Sequence, residues 1–405
     1  MTMNSREIKE LAGRVLMNTY GRYDLALVRG RGCRVYDPEG KEYLDFVGGL
    51  AVTSLGHSHP GVAEVIGEQA RTLVHVSNLY FTEPQVKVAK LLTDNSFADR
   101  VFFCNSGAEA NEAAIKLARK YSFDRYGAGR YRVLTLEDSF HGRTLATLSA
   151  TAQTKVHKGF EPLVEGFAYV PPGDLPALEK ALTGDVCAVM LEPIQGEGGV
   201  NELSDDYLAG AAKLCRSRDV LLIFDEVQVG LGRTGKLFSY QHFGVEPDVM
   251  TLAKALANGL PMGACLAREE VAQAFTPGTH ATTFGGTPLV SAAALAVLEL
   301  MLAPGFLEGV ARTGEYFQAR LNDLAGRHSF IRRVKGRGLI LGLDLAFPGA
   351  GVLQDLMARG FLINCTHDTV LRFLPPLTVT RAEIDLLLPA LEEVLVAAAR
   401  VEGAV

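Results

Sequence analysis

The chain has 405 residues, 48% hydrophobic and 21% charged, a globular balance at a length beyond which single cores stop growing, so two packed units are expected. A net charge of −6 spread along the sequence offers no basic stripe, which disfavours nucleic acid and anionic lipid as partners and leaves small molecules. The start, MTMNSREIKELAGR, lacks the apolar core of a signal peptide, no run of ~18 apolar residues occurs and no CxxC is present, so a cytoplasmic protein with reduced thiols is expected.

Residues 33–46, CRVYDPEGKEYLDF, read as two short strands around a turn at Asp37, Pro38, Glu39 and Gly40, which places residues 1–59 as a β segment belonging to a smaller unit. His57 and His59 follow in GHSHP. With no acidic or cysteine ligand close in sequence they read as a loop pair, and no metal site is expected.

From residue 60 to 287, strand-like apolar runs alternate with amphipathic stretches: VFFC with a helix through residue 121, RVLTL, CAVMLE with a helix over 204–218, VLLIF, and VMTL. Such alternation predicts an α/β domain whose mostly parallel sheet is covered by helices. From 288 to 405, helical stretches at 289–302, 306–324 and 380–401 surround short strands at GLILGLDL and VLRFL, which reads as a smaller α+β domain. The stretch GRGLILG misses the G-x-G-x-x-G spacing of a dinucleotide fingerprint.

Open parallel sheets bind ligands at the carboxyl ends of their strands, so residues just after the apolar runs are the candidates. VFFC leads to Asn105-Ser106-Gly107-Ala108-Glu109, where Ser106 and Glu109 match a capping box and Gly107 lets an anion approach a helix N-terminus; an ordinary helix start has the same look. VLLIF leads to Asp225, a carboxylate at the end of a buried strand that needs a cationic partner, whether structural or functional. VMTL leads to Lys254, flanked by Leu252, Ala253, Ala255, Leu256 and Ala257; it either snorkels to water or is kept for covalent chemistry. Three neighbouring strand ends would thus carry an anion cradle, an isolated carboxylate and an apolar-flanked lysine. One cofactor uses all three. Pyridoxal 5'-phosphate forms a Schiff base with a lysine, pairs its ring nitrogen with an acid and seats its phosphate on amides; an apolar setting depresses the lysine pKa toward the reactive neutral amine.

With these residues in view, the chain resembles the class III aminotransferases of fold type I, and within them the acetylornithine branch. The resemblance rests on GHSHP, SNLYFTEPQ, NSGAEANEAAIKLARK, FHGRT, EPIQGEGGV, DEVQVGLGRTG, Lys254 and TTFGG, and it runs nearly end to end. It implies a large pyridoxal-phosphate domain with a smaller α+β partner. It also implies a phosphate site at Ser106, Gly107 and Ala108, Phe140 and Val227 on the two faces of the ring, Asp225 at the ring nitrogen and Gln228 at the phenolic oxygen. Thr283 would reach the phosphate across a homodimer interface. Arg143, with Thr282, would hold the α-carboxylate of N-acetylornithine, and Arg372 that of glutamate or 2-oxoglutarate. Glu197 would pair with Arg372 when an amine at the far end of a chain enters.

Tyr20 matches a substrate-side position of the ornithine enzymes, which carry a second tyrosine where this chain has Leu50; Leu50 favours an acylated substrate. Thr282 replaces the serine usual in the branch. The rival readings are an aminotransferase for ornithine, succinylornithine or succinyldiaminopimelate, a mutase, and a non-catalytic binding protein. The presence of Arg372 with Glu197 disfavours the mutase, and Lys254 with Asp225 disfavours the inert protein.

Overall fold

In the computed structural model, which describes residues 3–404, the turn expected at Asp37 joins β2 (Arg34–Tyr36) to β3 (Glu42–Asp45), with β1 (Arg29–Arg31) antiparallel to β2. The Lys41 N–H donates to Asp37 Oδ1 at 2.8 Å and closes it. Next come β4 (Arg100–Cys104), β5 (Arg132–Leu136), β6 (Phe167–Val170) and β7 (Val186–Leu191), then a short hairpin of β8 (Ile194–Gln195) and β9 (Asn201–Glu202). The series ends with β10 (Leu221–Asp225), β11 (Val249–Leu252) and β12 (Gly263–Ala267). Apart from the β8–β9 hairpin, these form one seven-stranded sheet in the order β4-β12-β11-β10-β7-β5-β6. β7 and β10 are buried along their whole length, as continuous apolar runs in a sheet covered on both faces should be.

Strands β6, β5, β7, β10 and β11 pair in parallel, whereas β12 is antiparallel to both β11 and β4. This corrects the expected adjacency of three strand ends: β4 and β11 are separated by β12, whose sequence GACLA is short, small and fully buried, and so carries neither alternation nor a β-branched signal. Because β12 runs backwards, its first residues lie at the carboxyl ends of its neighbours, with Gly263 opposite Cys104 and Ala264 opposite Leu252. The three ends still share one crevice. The helix after β4 spans Gly107–Tyr126, beyond the expected end at 121, because no breaker intervenes before Gly127 at φ 80°.

The C-terminal part contains β13 (Ile331–Arg337), β14 (Ile340–Leu345), β15 (Phe361–Leu362), β16 (Asn364–Thr366) and β17 (Val370–Phe373). Four of these form an antiparallel sheet in the order β13-β14-β17-β16, and GRGLILG is the β13–β14 hairpin. β15 pairs in parallel with β3, so the N-terminal hairpin and the C-terminal part share a sheet. Phe317 on the helix Phe306–Arg327 contacts Phe46 and Phe373, with ring centroids 6.0 and 5.3 Å apart, and anchors β17 to the core. The helix Pro288–Met301 packs on the helices Pro60–Thr72 and Glu83–Asp94 and on the turn that begins at Lys254.

Candidate active site

A cavity of about 400 Å³ opens at the carboxyl ends of the large sheet. Its walls include Ser106, Gly107, Ala108, Phe140, Arg143, Glu197, Asp225, Val227, Gln228 and Lys254. The volume lies in the range of small-molecule sites.

Lys254 follows β11 with φ 43°, a left-handed conformation uncommon for a side-chain-bearing residue. Burial pulls its pKa from 10.5 down to about 8; Glu197 resists, Arg372 adds to the pull, and Asp225 and Glu192 resist more weakly. Among the described residues its ammonium has neither a hydrogen bond nor an ion pair.

Asp225, buried at the end of β10, accepts from the Val227 N–H at 3.0 Å and from Asn111 Nδ2 at 2.7 Å, and lies 2.8 Å from His141 Nδ1. The partner it requires is therefore His141. Burial opposes protonation of that imidazole, but the hydrogen bond and charge of Asp225 raise its pKa above the usual value. His141 Nε2 is buried with no hydrogen-bond partner among the described residues. Asn111 is oriented by the Thr251 hydroxyl, which donates to its Oδ1 at 2.7 Å. Neither His141 nor Asn111 is singled out by the sequence reading. Asn111 has a signal in retrospect, a polar residue on the alanine-rich buried face of Gly107–Tyr126. Glu192, also unforeseen, accepts from the Phe140 N–H at 2.9 Å, and burial pushes its carboxyl up to about 7.

At the N-terminus of Gly107–Tyr126, Ser106 Oγ accepts from the Glu109 N–H as a capping box requires. The return bond differs from the motif: the Glu109 carboxylate takes the N–H of Asn105, one residue earlier, at 2.9 Å. Glycine at 107 has a second reason beyond ligand access. A Cβ there would lie 2.6 Å from Val227 Cγ1, so only glycine lets Val227 close over the helix start.

Arg372 is fully buried on β17. Its Nη1 donates to Glu197 Oε1 at 2.8 Å and to Gln228 Oε1 at 3.0 Å, while Nε and Nη2 donate to Asn364 Oδ1 at 3.1 and 2.7 Å. Burial raises the pKa of the Glu197 carboxyl, but the charge and hydrogen bond of Arg372, with Lys254 and Gln228, bring it below the usual value. Gln228 also donates from Nε2 to Glu197 at 3.2 Å, so both ends of its amide are engaged with this ion pair. Arg143 lies across the cavity with its guanidinium 4.6 Å from the centre of the Phe140 ring.

Four expected residues do not line the cavity: Arg372, which stands behind Glu197 and Gln228, and Thr282, Thr283 and Tyr20. Thr282 is close behind it, accepting from Asn105 Nδ2 at 3.2 Å. Thr283 is exposed and faces a separate small cleft with His75, Ser77 and Tyr80. Tyr20 is 69% exposed, in a surface segment with Leu16, Met17, Leu27 and Val28; the tyrosine that approaches Asn364 and Arg372 is Tyr23. His57, read as part of a loop pair without a nearby acid, meets Asp45 at 2.7 Å through the fold. No cluster of three or more metal-ligating side chains occurs among the described residues.

Residues 16–395 match the aminotransferase class-III family. The chain belongs to that family. It is 52% identical over 381 residues to the acetylornithine aminotransferase of Caldanaerobacter subterraneus subsp. tengcongensis, covering 94% of this chain and 97% of that one. Among solved structures it superposes on the ornithine aminotransferase from Toxoplasma gondii with a TM-score of 0.94, 32% identity and coverage of 98% and 96%. The acetylornithine aminotransferase from Elizabethkingia anophelis gives 0.87 at 32% identity, covering 98% of this chain and all of that one. The protein is thus a pyridoxal-phosphate-dependent aminotransferase of fold type I. The cavity fits that cofactor, offering helix-start amides at Gly107 and Ala108, a buried carboxylate at Asp225 and a lysine of lowered pKa. Among the described residues no single helix is long and apolar enough to cross a membrane.

Proposed function

We propose that the chain transfers the terminal amino group of N-acetylornithine to 2-oxoglutarate, giving N-acetylglutamate 5-semialdehyde and glutamate in arginine biosynthesis. The observation that carries this reading is the Arg372–Glu197 pair, 2.8 Å apart, in which Glu197 lines the same cavity as Lys254 and buried Arg372 stands directly behind it. One site must take a terminal amine in one half-reaction and an α-amino acid in the other. A buried arginine suits the α-carboxylate of glutamate and needs a counter-ion when that carboxylate is absent. Glu197 supplies the counter-ion and withdraws when the dicarboxylate enters.

Gly107 and Ala108, with Ser106, would hold the cofactor phosphate; Phe140 and Val227 would enclose its ring, and Asp225 would face the ring nitrogen. When bound, pyridoxal phosphate supplies an electron sink that lets the substrate C–H bond next to nitrogen ionise. Asp225, oriented by three N–H donors including His141, would pair with that nitrogen and keep it protonated. Lys254 Nζ, an amine of lowered basicity, would take the proton from the substrate carbon. Arg143 would bind the α-carboxylate of N-acetylornithine with help from Thr282, and Leu50 would leave room for the acetyl group.

Thr283 would complete the phosphate site of a second subunit in a homodimer. Its outward position supports this, as do exposed apolar side chains on nearby segments, Tyr80, Phe81 at 99% exposure and Phe284.

The test is a half-reaction screen following loss of cofactor absorbance with N-acetylornithine, N-succinylornithine, ornithine and glutamate. N-Acetylornithine and glutamate should react fastest; faster reaction with free ornithine would overturn the substrate assignment in favour of the ornithine enzyme. Glu197→Ala should raise the glutamate rate relative to that of N-acetylornithine, and Arg372→Ala should lower it. Shifts in the same direction, or none, would overturn the gate.

A further inference from the structure

Arg372 is held unequally on its two sides. Asn364 and Arg372 are direct cross-strand partners on β16 and β17, and one amide oxygen, Asn364 Oδ1, accepts from both Nε and Nη2. Gln228 Oε1 accepts from Nη1. On the other side the Glu197 side chain, 29% exposed, touches Arg372 through a single oxygen, Oε1. The Glu197 backbone is tethered, since the Thr366 hydroxyl donates to its carbonyl oxygen. Its carboxylate can therefore leave by side-chain rotation alone, whereas moving the guanidinium would strand buried N–H groups.

We infer that Asn364 is a positioning residue for Arg372, clamping the guanidinium in one place through both half-reactions so that the exchange of substrates moves Glu197 and not the arginine. The inference rests on the gate described above. The chemistry of the clamp matters as much as its geometry. A carboxamide gives two hydrogen bonds to the Nε–Nη2 edge without cancelling the positive charge, so Arg372 keeps its attraction for an α-carboxylate once Glu197 has gone. An aspartate at 364 would satisfy the same N–H groups but act as a permanent counter-ion, holding the gate electrostatically shut to glutamate.

The test compares Asn364→Asp, Asn364→Ala and Arg372→Ala holoenzymes in single-turnover half-reactions with glutamate and N-acetylornithine, separating apparent amine affinity from limiting rate. Asn364→Asp should depress the glutamate half-reaction at least ~10-fold more than that of N-acetylornithine. Asn364→Ala should weaken glutamate affinity by ~10-fold or more, with its limiting rate and the N-acetylornithine reaction within ~3-fold of the parent. Equal losses for both amines, or an unchanged ratio, would overturn the clamp. Asn364→Asp is nearly isosteric and carries the test if the alanine variant does not fold. If Arg372→Ala itself leaves the ratio unchanged, the gate falls and takes the clamp with it; if it shifts the ratio but neither Asn364 variant does, the clamp alone is wrong.

Discussion

Lys254 should behave as a base that loses its proton near pH 8, and the consequence can be worked out from its surroundings. With a pKa of about 8 rather than the usual 10.5, roughly a quarter of the chains hold a neutral amine at pH 7.5, against about one in a thousand for an ordinary lysine. That is a gain of ~240-fold in reactive nucleophile. For a base of lowered pKa, the neutral form appears as pH rises through the lowered value. The rate at which stripped enzyme recaptures pyridoxal phosphate, followed by absorbance from pH 6 to 10, should therefore climb with a midpoint near 8 and level off above it. Glu197 is the strongest influence opposing the shift and Arg372 contributes to it. Glu197→Gln should therefore move the midpoint down, and Arg372→Ala should move it up. A midpoint above pH 10, or an upward move with Glu197→Gln, would refute this account.

Asp225→Asn keeps the shape but replaces one acceptor oxygen with a donor, which must face either the Val227 N–H or the groups of Asn111 and His141. Cofactor should remain bound while turnover falls at least ~10²-fold; near-normal turnover would sink the role. Gly107→Ala forces a methyl to 2.6 Å from Val227 Cγ1, an overpacking that typically costs ~1–3 kcal/mol. It should displace Val227 into the cavity and weaken cofactor retention on dialysis, and unchanged retention would show that Val227 does not cover the ring.

The parts of the site written in local pattern were legible from the sequence. Strand ends locate Lys254 and Asp225 because an apolar run that stops at a charged residue marks where a buried strand meets a crevice. Ser106 and Gly107 announce a helix start by spacing alone. Three features lay beyond that reach. β12 is too short and too small-chained to show a strand period, although it decides which strand ends are adjacent. His141 and Asn111 acquire their role from being brought to Asp225 across the sequence, 84 and 114 residues away. Gln228 lines the cavity, and its amide bonds to the Arg372–Glu197 pair, a contact that no local pattern announces. Its packing there depends on Gly196, where a Cβ would collide with Gln228 Oε1.

The low basicity of Lys254 follows from how the other charges in the crevice are committed. Asp225 is paired with His141, and Glu197 with Arg372. Glu192 accepts from the Phe140 N–H, and burial raises its carboxyl well above the usual range, which favours the neutral form. Each carboxylate that could have stabilised an ammonium at Lys254 is thus occupied or partly neutral, and Arg372 adds a repulsion. Burial then decides the outcome, as it does whenever desolvation is not answered by a dedicated counter-ion. Releasing Glu197 from Arg372 would change this balance at the lysine as well as at the arginine. The gate and the reactive amine are therefore electrostatically linked: the variants that redistribute preference between the two amines should also move the pH at which Lys254 becomes reactive.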